Sequence, residues 1–185
     1  MDTRYEIRLA GEGGQGLILA GVILAEAAAV GDGKNVAQTQ SYGPQARGGA
    51  STSEVVISDG EIDYPRVVEA DLLLAMSQEA CDRYCHELKK DGVLIVDSIL
   101  VDRVPTERVY RVPITKIAEE STGRRVAANV VALGLIVGLT NVVSREAIEA
   151  ALAARVPRGT QDLNLKALHA GLKVAENLKA QRGNQ

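Results

Sequence analysis

The sequence predicts one α/β domain over residues 1–185, with a mixed, mainly parallel sheet, helices on both of its faces and a helical C-terminal third. Three observations carry that expectation. The glycine-rich stretch GEGGQG, residues 11–16, follows a short apolar strand and opens a long aliphatic helix. DLLLAM, residues 71–76, is apolar at successive positions, as a strand buried on both faces must be. Beyond Pro113 the apolar residues recur at helical intervals.

Composition narrows the function classes. The chain has no Phe and no Trp, so its core must be built from aliphatic side chains and Ala. Formal net charge is -3 and the Lys and Arg residues are scattered, which sets nucleic acid aside as a partner. Two cysteines cannot make an extracellular disulfide framework, so a reducing cytoplasm is expected. The most apolar run, residues 130–139, is too short to span a bilayer, and no membrane association is expected.

Taken in order, Tyr5, Ile7 and Leu9 alternate with charged residues and form a strand that ends at the glycine loop. Gly11, Gly13 and Gly16 fit the G-x-G-x-x-G spacing, in which backbone N–H groups close on a pyrophosphate. A tight strand-to-helix turn that binds nothing needs the same glycines. Residues 17–30 are apolar on nearly every face, so this helix should be buried all round, by its own domain or by a partner subunit. GDGKN, residues 31–35, stops that helix. It also imitates the GDG segment that holds Mg²⁺ and diphosphate in thiamine enzymes, but the Asn-Asn that completes such a site occurs nowhere in the chain.

A second strand through Val36 leads to SYGPQARGG, residues 41–49, an irregular segment of the kind that carries sites. Here Tyr42, Gly43, Gln45, Arg47, Gly48 and Gly49 stand together, and Arg47 suits bidentate contact with phosphate or carboxylate. Residues 53–58 read as a strand, with Asp59-Gly60 predicting a hairpin turn into residues 61–64. After the strand at 71–76, Ser77 caps a helix predicted over 78–90, on which Cys81, Tyr84, Cys85 and Leu88 share a core-facing stripe and His86 lies off it. Residues 93–96 form another buried strand, ending at Asp97 and Ser98 where its C-terminal edge meets solvent. A last strand at 109–112 precedes a short helix that Gly123 stops.

The helix at 126–139 carries Gly134 and Gly138 on one face, which allows another element to approach closely. Asn129 is the polar residue of its first turn and serves either packing or a ligand. Ser144 caps a helix running to Arg155, and Leu165, Leu168, Leu172 and Ala175 stripe the last one, with His169 on its wet side. Neither histidine has a nucleophile neighbour in the sequence, so no catalytic residue is assigned and no metal ligands are expected. The candidate ligand-binding residues are Gly11, Gly13, Gly14, Gln15, Gly16, Tyr42, Gly43, Gln45, Arg47, Gly48, Gly49 and Ser77.

GEGGQG at 11–16, YGPQARGG at 42–49 and ADLLLAM at 70–76 with Ser77 behind it resemble, in order, interval and total length, the gamma subunit of 2-oxoacid:ferredoxin oxidoreductases. The resemblance implies a Rossmann- or flavodoxin-like domain in a complex that converts a 2-oxoacid, coenzyme A and oxidised ferredoxin into acyl-CoA, CO₂ and reduced ferredoxin. It implies that thiamine diphosphate, Mg²⁺ and iron–sulfur clusters sit on the alpha, beta and ferredoxin-like subunits, and that the gamma chain shares in coenzyme A binding. The isolated chain is then expected to be inactive and able to self-associate. The loops most resemble those of 2-oxoglutarate enzymes, with pyruvate, branched-chain 2-oxoacid and indolepyruvate enzymes close by. Two rival readings remain: a stand-alone NAD(P)- or flavin-dependent oxidoreductase using the same loop, and a non-catalytic assembly subunit without a ligand.

Overall fold

Alternation at Tyr5, Ile7 and Leu9 becomes strand β1 (Arg4–Glu12) in a computed structural model that describes residues 3–42 and 50–182. The elements that follow are α1 (Leu17–Glu26), β2 (Asn35–Tyr42), β3 (Ala50–Ser58), β4 (Ala70–Ala75), α2 (Gln78–Tyr84), β5 (Leu88–Asp97) and β6 (Tyr110–Val112). Four helices complete the chain: α3 (Ile114–Thr122), α4 (Ala128–Thr140), α5 (Arg145–Arg155) and α6 (Gln161–Arg182). The six strands form one sheet in the order β2-β3-β1-β4-β5-β6. β1, β4, β5 and β6 run parallel, while β3 is antiparallel to both β1 and β2.

Side chains alternate across this sheet, so each strand feeds two cores. Ile7, Leu9, Val55, Ile57, Leu72, Leu74 and Ile95 face one way and are covered by α1, α3, α4, α5 and α6. Ala10, Leu73, Ala75, Leu94 and Val96 face the other way and, among the described residues, meet α2 and the segment from Val101 to Val109. Helices do lie on both faces, but very unevenly. The aliphatic core suffices because small residues let the helices close in, α4 against α6 above all, where Gly134 and Gly171 meet.

Three local expectations need correction. Asp59-Gly60 does not return as a strand, because both edges of β3 are already occupied and residues 61–64 find no free ladder. Instead Lys34 and Thr3 hold the Asp59 carboxylate and the Gly60 N–H donates to Ser58 Oγ at 3.1 Å. Both antiparallel partners of β3, β1 and β2, come from earlier in the chain. Likewise α2 stops at Tyr84, passes through a 3-10 turn (Cys85–Glu87), and the lysines expected to close it lie in β5. Leu88 pairs with Ala70, Lys89 Nζ reaches Asp71 at 2.8 Å, and a register shift between Ala70 and Leu72 absorbs the extra residues. Pairing with β4 outcompetes the helical pattern there.

Asp97 does not meet solvent. It is fully buried, accepts the Ile99 and Thr115 N–H groups at 2.9 Å each, and takes the Thr115 hydroxyl, so it fastens β5 to the start of α3. Of the two ways of covering the helix at residues 17–30, its own domain does so only in part: Leu17, Ala20, Ile23 and Leu24 are buried, while Leu19 on α1 and Val30, in the π-helical turn (Ala27–Gly31) that follows it, remain exposed at 39% and 81% of their surface.

Candidate functional site

The glycine loop sits where β1 ends and α1 begins, at the carboxyl ends of the parallel strands, the edge at which open α/β sheets bind ligands. Its sequence is dictated by crowding. A Cβ on Gly11 would stand 2.1 Å from Gln15 Oε1 and 3.0 Å from Met76 Cβ. Gly16 adopts φ 74°, the left-handed region, and a Cβ there would stand 2.5 Å from Asn129 Nδ2. Both positions therefore require glycine before any ligand is considered.

Gln15 and Ser77, expected to bind a ligand, are engaged in holding the site together. Gln15 Oε1 accepts the Glu12 N–H at 2.8 Å and its Nε2 donates to the Met76 carbonyl at 2.9 Å, which staples the loop to the end of β4. Ser77 Oγ accepts the Ala80 N–H at 3.2 Å as the cap of α2. Asn129 settles toward structure as well: its Nδ2 donates to the Gly16 carbonyl at 3.1 Å and brings the start of α4 to the start of α1. The sequence flagged Asn129 without its partner, since the two lie 113 residues apart.

What the loop leaves open is backbone. The N-cap of α1 is Gly16, which offers no side-chain cap, so an anion is a natural complement to the first N–H groups of the helix. Tyr42 pairs with Ser51, and Ser51 with Gly11, so the three share one rung across β2, β3 and β1. Tyr42, 66% exposed, is then two strand spacings, about 10 Å, from the loop. Gly43, Gln45, Arg47, Gly48 and Gly49 lie outside the described residues. The residues flanking them, Tyr42 and Ala50, open onto this rung, Ala50 pairing with Glu12. Gly13 and Gly14 are exposed at the loop's tip.

Neither histidine lies at this edge. His169 Nε2 lies 2.7 Å from Glu149, between α6 and α5, and His86 lies 3.7 Å from Glu87 beyond α2. The dinucleotide reading also loses its geometry. In that motif the second strand lies beside the first and ends in a carboxylate, whereas here β3 separates β2 from β1 and β2 ends in Gln40, Ser41 and Tyr42.

Asp32, the acidic residue of GDGKN, is spoken for. Its carboxylate accepts the Ser144 N–H at 2.7 Å and the Ser144 hydroxyl at 2.5 Å, tying the turn after α1 to the start of α5. The segment is thus a structural tie and does not fit a diphosphate-bound cation. Asp32→Ala is expected to lower stability by about 1 kcal/mol, the scale of a lost helix-cap contact. Urea unfolding of the chain measures that, and the thiamine diphosphate requirement of an assembly containing the variant should stay unchanged.

Residues 6–174 match the family model described as pyruvate ferredoxin/flavodoxin oxidoreductase. The chain belongs to this family. It is 52% identical over 179 residues to the 2-oxoglutarate synthase subunit KorC of Methanocaldococcus jannaschii, covering 95% of this chain and 96% of the relative. Its fold superposes with a TM-score of 0.87 on the gamma subunit of a keto/oxoacid ferredoxin oxidoreductase from Geobacter sulfurreducens, at 52% identity and covering 95% and 98% of the two chains. The 2-oxoglutarate:ferredoxin oxidoreductase of Magnetococcus marinus, solved with 2-oxoglutarate, coenzyme A and succinyl-CoA bound, gives a TM-score of 0.82 at 26% identity, over 94% of this chain and 31% of that one. The chain is therefore a gamma-type member of the family, in agreement with the resemblance of its glycine segments. Among the described residues no helix is long and apolar enough to cross a membrane.

Proposed function

We propose that this chain is the gamma subunit of a 2-oxoglutarate:ferredoxin oxidoreductase, which takes 2-oxoglutarate, coenzyme A and oxidised ferredoxin to succinyl-CoA, CO₂ and reduced ferredoxin. The observation that carries this reading is end-to-end correspondence with a 2-oxoglutarate synthase subunit at half identity. The chemistry-bearing groups belong to the alpha, beta and ferredoxin-like partners. Two cysteines cannot supply the four thiolates of a cluster, and Asp32 is committed to Ser144. The outer side of α1 at Leu19, and Val30 in the turn that follows it, are assigned to a partner subunit, because exposed apolar side chains grouped in this way are not left in water. The working compartment is the cytoplasm, where Cys81 and Cys85 stay free thiols.

Within that complex the N-terminus of α1 and Arg47 are assigned to binding the phosphates of coenzyme A. Uncapped backbone donors and a guanidinium are complementary to a pyrophosphate and a 3′-phosphate, and the bound coenzyme A of the Magnetococcus enzyme supports the ligand class. The test is a reconstituted complex assayed by ferredoxin reduction. 2-Oxoglutarate should be turned over in preference to pyruvate, and Arg47→Ala should raise the coenzyme A KM about 10-fold or more, the worth of a charge-assisted hydrogen bond. Preference for pyruvate rejects the substrate. An unchanged KM with normal assembly rejects the phosphate contact and leaves the subunit assignment standing.

A further inference from the structure

Cys81 and Cys85 stand one helical turn apart, where α2 passes into its 3-10 turn, and their sulfurs are 3.2 Å from each other. Cys81 is fully buried against Leu73, Ala75 and Leu94, and its thiol donates to the Arg103 carbonyl at 3.7 Å. Cys85 is partly exposed and gives the pair its access to solvent. Nothing in the proposed oxidoreductase chemistry uses these thiols. The geometry points to a chelating dithiol that captures a neutral trivalent arsenical, both sulfurs binding the same arsenic atom.

The sulfur spacing suits this ligand. With sulfur-to-centre bonds of about 2.3 Å, a 3.2 Å span subtends roughly 90° at the shared atom, as a pyramidal trivalent centre with a lone pair prefers. A tetrahedral zinc ion would hold the sulfurs about 3.8 Å apart and needs further ligands. Among the described residues no group of three His, Cys, Asp or Glu could supply them. A direct disulfide fits less well, because side chains one turn apart keep their Cβ atoms about 5–6 Å from each other. Disulfides want roughly 3.5–4.5 Å. A bridging atom removes that demand.

Protonation favours the same class. Burial pushes the Cys81 thiol up and the Cys85 thiol up to about 12, so at neutral pH both carry their protons. Oxidants and divalent cations that need thiolate are disfavoured. An arsenoxide needs none: its As=O bond is replaced by two As–S bonds, and both thiol protons leave with the oxygen as one water. Arsenic stays trivalent, and no charge is created in a half-buried place.

Phenylarsine oxide tests this on the 185-residue chain, whose two cysteines make the count unambiguous. At one equivalent, intact mass should rise by one phenylarsenic group less two hydrogens, and both thiols should vanish from a maleimide count. The adduct should survive excess 2-mercaptoethanol and dissolve in dithiothreitol. Cys85→Ser, chosen because Cys85 is only partly buried, should weaken binding at least about 100-fold by removing the second arm. Two thiols still reactive after treatment, stripping by 2-mercaptoethanol, loss of two hydrogens without arsenic, or equal binding by Cys85→Ser would each overturn the proposal. The wild-type thiol count decides even if the variant folds poorly.

Discussion

Gly134→Val is expected to destabilise the chain by about 3 kcal/mol or more, because at this point two helix backbones touch. A Cβ on Gly134 would stand 2.2 Å from the Leu168 carbonyl oxygen and 2.8 Å from the Leu172 nitrogen, and one on Gly171 would stand 2.1 Å from the Val131 carbonyl oxygen. Side chains can rotate away from a clash; a helix backbone cannot without moving the whole of α4 or α6. Gly138 supplies the contrast. Its added Cβ would meet the Ala175 methyl at 2.5 Å, so Gly138→Ala should cost less and be largely rescued by Ala175→Gly. Gly134 has no such rescue. Urea unfolding of the three variants against wild type measures the difference, and a Gly134→Val chain as stable as wild type would refute the contact. The consequence reaches function through Asn129, since displacing α4 withdraws the amide that holds the Gly16 carbonyl.

That crossing was legible in the sequence as two glycines on one helix face, yet its partner on α6 was not, because a four-residue spacing says that something approaches without saying what. The same limit separates what was readable from what was not elsewhere. β1, β4, the Ser77 and Ser144 caps and the Gly123 stop depend on local chemistry, and the structure has them all. The hairpin at Asp59 and the length of α2 depend on which strand edges are free, a property of the assembled sheet. Asp97 misled for a related reason: a carboxylate at a strand end looks solvated until the two N–H groups and the hydroxyl it accepts are seen. In the site, the glycines were recognisable because their spacing is a backbone property. Gln15 reads as a ligand contact in the sequence because the Met76 carbonyl that its amide holds comes from a distant part of the chain, and the helix stop at GDGKN was readable while the Ser144 that Asp32 ties was not, for the same reason.

Arg8→Met should cost about 3–5 kcal/mol, the penalty for leaving a buried charge without its partner. Arg8 lies on β1, only 4% exposed, on the sheet face that carries α2. Its Nη2 donates to Glu54 at 3.1 Å and to the Val67 carbonyl at 3.3 Å, its Nη1 binds Glu87, and its guanidinium lies 4.7 Å from the centre of the Tyr84 ring. Glu54 keeps Arg66 at 3.1 Å and the Val67 N–H at 3.3 Å, which places the expected loss nearer the lower figure. Arg8→Lys should recover only part of it, since an ammonium cannot span Glu54 and Glu87 as a planar fork does. Pairing Arg8→Met with Glu54→Gln removes both charges, so the double variant should be more stable than the sum of the singles by about 1 kcal/mol or more. Additive effects in urea unfolding would show that the two residues do not interact. The network fixes β1 between β3 and the turn after α2, and β1 is the strand that delivers the glycine loop. A charge cluster far from the proposed coenzyme A contact thereby sets where the N-terminus of α1 points.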